Sequence, residues 1–205
     1  MPNKRLIIPA LIAGLIITAA GEMLAYSGDV CEVSDAVMRL HVVAQSDDAS
    51  DQAAKLCVRD AVLREVEALA DAASDKREFA SLLAAHIPDI ERTANDTLAG
   101  LGLSYTARAY IERADFPTRE YGDVTLPAGR YDALRVVLGR GAGHNFWCVM
   151  FPPMCAGAVE EEEGKEYLKE NLRPGAFMMI TDSDADVRYE LRLKVADVIS
   201  GLKNK

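Results

Sequence analysis

Apolar and polar positions alternate with period two over residues 37–44. Met38, Leu40 and Val42 fall on one side and Arg39, His41 and Val43 on the other, the pattern of a strand. A loop over 45–50 follows, in which Ser46 or Ser50 could cap the next helix. Residues 51–73 contain no Gly or Pro, and at 100° per residue Leu56, Val58, Val62, Leu63, Val66, Leu69 and Ala70 share one arc, which predicts a helix packed on a sheet. Lys55 and Arg59 fall inside that arc. A guanidinium among apolar neighbours must reach water along its stem or find a carboxylate, so Arg59 is expected to make a fold-fixing ion pair.

A second helix is predicted over 75–101, capped by Ser74, kinked or divided at Pro88 and stopped by Gly100 and Gly102. His86 lies on its apolar side, the place of a core histidine. Alternation returns over 103–113, and a turn is expected at Asp115, Phe116 and Pro117. Residues 123–126 are expected to pair across Pro127-Ala128-Gly129 with a mostly apolar strand over 131–138. Beyond Cys155, the run Glu160 to Glu163 reads as a solvated loop or short helix. Pro174-Gly175 reads as a turn before a strand over 176–181, and the tail from Val187 as a helix, or a short strand running into one. Helices and strands are segregated, so the expected class is α+β, with a small antiparallel sheet packed with two or three helices.

The N-terminus changes the picture of where this domain works. Lys4 and Arg5 precede an uncharged run from Leu6 to Gly21, the layout of a secretory signal. The run is shorter than the roughly 20 apolar residues that span a bilayer, which favours a cleaved signal over an uncleaved anchor. Residues 1–21 are thus read as signal peptide or anchor, 22–36 as a polar linker and 37–205 as the exported domain. Export would place that domain across a membrane, with membrane contact through the N-terminal segment alone. The 205 residues carry a formal net charge of −9, which argues against nucleic-acid partners, and losing Lys4 and Arg5 makes it −11, against adhesion to anionic lipid.

Candidate chemistry concentrates in residues 121–155, which hold the only tryptophan, Gly139-x-Gly141-x-Gly143, two of the four cysteines and Pro152-Pro153. The glycine spacing fits neither a dinucleotide fingerprint nor a P-loop, and a turn is the better reading. Four unevenly spaced cysteines and three histidines do not suggest a zinc site, and neither a cofactor nor a metal is expected. Cys148 with His144 could form a thiol nucleophile and base, but Cys155 lies seven residues on in a chain read as exported, so a disulfide or structural thiols weigh more. Phe146, Trp147, Phe151 and Met154 could be core, or a rigid loop that glycines and prolines hold out to a partner.

These residues also carry a resemblance. The motifs Y-G-D, P-A-G-x-Y-x-A-L-R, G-x-G-x-G-x-N-x-W-C and F-P-P-x-C between Tyr121 and Cys155 resemble the signature of the stage II sporulation protein R family. A second block, Arg39-Leu40-His41-Val42, then Ala44 to Asp47, Asp51-Gln52 and Lys55 to Asp60, is similar to its other hallmark. Gln45 stands where Asn is expected, Cys57 and Phe146 replace commoner residues, and the acidic insert near Glu160 is peculiar to this chain. The resemblance implies a non-catalytic signal of endospore formation, exported from the forespore into the space between the two septal membranes. There it would activate the membrane-embedded aspartic protease that processes the sigma-E precursor. The partner-binding candidates are Arg39, His41, Tyr121, Arg135, Asn145, Trp147, Phe151, Pro152 and Pro153. The rival reading is a secreted thiol hydrolase using Cys148 and His144.

Overall fold

A computed structural model describes residues 4–155 and 158–181. The chain runs α1 (Lys4–Ala36), β1 (Met38–Val43), α2 (Ala49–Asp71), α3 (Lys76–Gly100), β2 (Ala107–Phe116), β3 (Arg119–Tyr121), β4 (Val124–Leu126), β5 (Gly129–Leu138), β6 (Asn145–Phe151), α4 (Ala158–Asn171) and α5 (Pro174–Thr181). Four strands form one sheet in the order β2-β5-β1-β6, and β3 pairs with β4 in a separate hairpin. The α+β class holds. The outer pairs are antiparallel, whereas β1 and β5 at the centre run parallel: α2 and α3 bring the chain back to the end where β1 stops, β2 runs the opposite way, and the chain reverses again into β5.

The alternation of β1 sorts its residues as expected. Met38, Leu40 and Val42 meet Leu134, Val136, Leu138, Ala107 and Ala109 on the face covered by α2 and α3. Val58, Val62 and Val66 of α2 and Phe79, Leu83, Ile90, Ala94 and Leu98 of α3 fill that layer. The α3 start is a reciprocal cap: Asp75 accepts from the Glu78 backbone N–H at 2.8 Å, and Glu78 Oε2 accepts from the Ser74 N–H at 2.9 Å. Asp75, not Ser74, is therefore the N-cap. Pro88 stays within one helix instead of dividing it. Asp48 is the N-cap of α2 without a side-chain capping bond, while Ser46 Oγ accepts from the Asp48 N–H at 3.2 Å.

On the other face a second core gathers Val33 and Val37, Phe116, Val124, Leu126, Tyr131, Ala133, Val149 and, from the C-terminal helices, Leu168, Leu172, Ala176 and Ile180. Several expectations are corrected here. Residues 22–36 are the end of α1, not a loose spacer, and Val33 is fully buried. Phe116 ends β2 instead of sitting in a turn. Residues 124–126 pair with β3, not with β5. Residues 176–181 are helical: Pro174 takes the first helical position, and Ala176, Met179 and Ile180 are buried at helical spacing, a period that five apolar residues in a row conceal. The acidic run lies in α4. The tail from Val187 falls outside the described residues. Among the described residues, no helix is long and apolar enough to cross a membrane.

Candidate functional site

Strand register brings distant residues into rows on the second face of the sheet. His41 lies beside Arg135 on one side and Trp147 on the other, and Arg135 beside Tyr110 of β2. One step along, Arg39 lies between Ala133 and Val149. The helices, the hairpin and the end of α1 cover the Arg39 end of this face. At the His41 end, Trp147 and Arg135 are half-buried, Tyr110 and Asn145 are exposed, and His41 forms the floor at 5% exposure.

Arg39 is a fully buried cation held by rings. Its guanidinium carbon lies 4.2 Å from the Phe116 ring centre and 4.9 Å from that of Tyr131, and Nη2 donates to the Tyr121 hydroxyl at 2.7 Å. Burial pulls its pKa down, and the Tyr121 oxygen opposes that shift. Nε and Nη1 have no partner among the described residues. The ring faces supply part of the missing solvation, as cation–π contacts do.

His41 stacks on Trp147 with ring centres 3.8 Å apart and planes at 21°, and Nε2–H donates to Asn145 Oδ1 across 3.0 Å. Burial lowers its pKa against the pull of the Asn145 bond, and the neighbouring Arg135 charge lowers it further. His41 is therefore a neutral imidazole, with Nδ1 buried and unpartnered. Arg135 Nη1 donates to Glu112 Oε1 at 2.8 Å. Phe116 joins the two rows, edge-on to Trp147 at 4.7 Å.

Of the sequence-predicted residues, Arg39, His41, Tyr121, Arg135, Asn145 and Trp147 thus share one face. Phe151 and Pro152 do not: both are buried, and Phe151 stacks on Phe79 with ring centres 5.1 Å apart. Pro153 lines a separate groove against α2. Residues 145–151, expected as a loop, are strand β6, so the partner-or-core question divides by residue. Phe151 and Met154 are core, whereas Phe146 and Trp147 are half-buried. Phe116, Tyr131 and Glu112 were not singled out from sequence. The period-two position of Tyr131 on the same side as Arg135 was an available signal, whereas Glu112 and Phe116 join that face only through the pairing of β2 with β5.

The two sequence blocks that carry the family resemblance fold onto each other. Asp47 accepts from the His144 backbone N–H at 2.7 Å and from its ring Nδ1, the Gln45 side chain accepts from the Arg140 N–H, and Gly143 N–H donates to Ala44 O at 3.0 Å. Buried Lys55 donates from Nζ to His144 O at 3.2 Å. Gly139, at φ 54°, leaves room for the Gln45 amide, and Gly143 lies against the Ser46 carbonyl. The glycines thus permit a tight approach between loops, and no phosphate cradle is needed to explain them.

Cys148 is bonded to Cys155, with Cα atoms 5.8 Å apart. His144 is exposed and paired with Asp47, so the arrangement brings no free thiol to an imidazole. Arg59 pairs with the adjacent Asp60 at 2.6 Å and lies over the Phe146 ring at 4.7 Å, so its contact across the fold is aromatic, not carboxylate. Among the described residues, no group of three or more His, Cys, Asp or Glu side chains is placed to hold a metal ion.

Fold and site together define a small α+β domain whose sheet carries an aromatic and cationic face, laced by two sequence blocks. The chain belongs to the stage II sporulation protein R family, whose model matches residues 34–161. It is 32% identical over 167 residues to stage II sporulation protein R of Bacillus subtilis (strain 168), covering 78% of this chain and 75% of that protein. The homology assigns it a role in sporulation. No solved structure matches the chain.

Proposed function

We propose that this chain is the exported forespore signal that activates the membrane-embedded aspartic protease of the mother cell, which then processes the sigma-E precursor. It acts as a ligand and not as a catalyst. Family membership supports the sporulation setting, and the layout of residues 1–21 supports export. The Cys148–Cys155 bond fits a compartment outside the reducing cytoplasm.

The observation that carries the docking surface is the half-buried Trp147 stacked on His41 beside Arg135, on the end of the sheet that, among the described residues, no helix covers. Aromatic and arginine side chains on a rigid support are the usual anchors of protein interfaces. The test is cleavage of the sigma-E precursor in a non-sporulating host that carries the protease, with and without this chain. Cleavage should require the chain and fall with Trp147→Ala or Arg135→Ala at unchanged protein level. Normal cleavage with stable variants would remove this face from the interface.

A further inference from the structure

Among the described residues the sheet ends at β6, and part of that edge is open. Gly143 N–H bonds to Ala44 O, so Ala44, and by alternation Val42 and Leu40, turn their peptide groups toward β6. Their partners Phe146 and Cys148 face inward in return, which leaves Asn145, Trp147 and Val149 facing out. The turn after β6 agrees, since Met154 N–H comes back to Val149 O from the outer side at 3.4 Å. That turn closes the edge at Val149. Among the described residues, the N–H and C=O groups of Asn145 and Trp147 have no partner on the outer side. Natural sheets blunt such edges with lysine, proline or bulges, and the segment from Asn145 to Trp147 contains neither lysine nor proline.

The flanks of the edge differ in chemistry. On one side stands the Trp147 ring. On the other, a groove of about 440 Å³ runs between α2 and the turn after β6, lined by Leu63, Val66 and Pro153. Its rim carries the carboxylates of Asp60, Glu67, Asp71 and Glu163 against the guanidinium of Arg64, while Arg59, paired with Asp60, lies over Phe146. Among the described residues, Glu67, Asp71 and Glu163 make no ion pair.

We propose that the open edge of β6 at Asn145–Trp147 takes an extended peptide of alternating apolar and basic residues as a further strand. Its backbone pairs with the free groups of Asn145 and Trp147. Alternation sets one apolar side chain beside the Trp147 ring and turns the neighbouring basic ones toward the carboxylates along α2. A second copy of this chain is the poorer occupant, because edge-to-edge pairing would bring two acidic rims together in a protein of net charge −9. The inference rests on the docking reading above only in placing Trp147 at the contact.

The test uses the full-length chain in detergent micelles and three synthetic peptides: acetyl-(Val-Lys)3-amide, its glutamate counterpart, and the lysine peptide N-methylated at every residue. Hydrogen exchange at the Asn145 and Trp147 amides should slow by about tenfold or more with the lysine peptide. The glutamate peptide should bind about tenfold more weakly, and the N-methylated one should give no protection. Asn145→Pro, which deletes an outward N–H, should abolish binding, while Asn145→Ala should retain it. Unchanged exchange at Trp147, equal binding of the N-methylated peptide, or an edge already protected in a dimer would overturn strand addition. If Trp147→Ala stops precursor cleavage while exchange is unchanged, strand addition fails and the docking reading survives. Protection by the lysine peptide with normal cleavage by Trp147→Ala has the opposite meaning.

Discussion

Arg39 Nη2 donates a 2.7 Å hydrogen bond to the hydroxyl of Tyr121, 82 residues away in sequence, and this is the only hydrogen bond that the buried guanidinium makes among the described residues. Tyr121→Phe removes the acceptor and leaves the charge to the ring faces alone. The expected cost is about 2 kcal/mol in urea denaturation. Arg39→Met, which removes the charge and keeps most of the volume, should lie within about 1 kcal/mol of the parent. A Tyr121→Phe variant as stable as the parent would show that the rings alone satisfy the cation.

His41 makes stability depend on pH. Its folded-state pKa lies below the ordinary 6.5 because burial and Arg135 disfavour the imidazolium. The unfolded chain therefore binds more protons between the two values. The stability from the neutral ring is fully present above about pH 6.5 and is lost as pH falls below it toward the folded pKa. Urea midpoints measured from pH 8 to pH 5 should decline for the parent, and the decline should be shallower for His41→Gln.

The Cys148–Cys155 bond closes a loop between residues separated by seven positions. Loop entropy gives about 2.5 kcal/mol for a ring of that size. Cys148→Ser and Cys155→Ser should therefore lose similar stability and similar signalling activity, and reduction of the parent should add the same loss. A Cys148→Ser variant inactive beside an active Cys155→Ser would instead point to a nucleophile.

Gly143 and Gly100 should respond oppositely to alanine. A Cβ at Gly143 would be driven into the Ser46 carbonyl, part of the backbone that joins the two loops. Gly143→Ala should destabilise by about 1–3 kcal/mol. Gly100, the last residue of α3, has open space around a Cβ, and Gly100→Ala should be neutral or stabilise by up to about 1 kcal/mol. Thermal denaturation of the two variants checks both.

The chain sequence by itself determined the elements whose side chains are sorted by period. Alternation in β1 and the arc of apolar residues on α2 are local properties, since one face of each must leave water. The reciprocal cap at Ser74 to Glu78 is also a matter of a few neighbouring residues. Where apolar residues run on unbroken, period carries no sign. Residues 176–181 became helix because of what they pack on, whereas 145–151, with Phe, Trp and Val, became strand in line with local preference.

The site was legible as a set of residue types but not as a place. Arg39, His41 and Trp147 stood out by chemistry, yet only the register of β1 between β5 and β6 set His41 between Arg135 and Trp147. The same register turned Phe151 into the core beside Phe79 and left Asn145 and Trp147 on an open edge. Register and the parallel pairing of β1 with β5 are long-range choices, fixed by which faces can be buried together. A linear pattern gives the faces of each strand, and the packed sheet decides which strands share them.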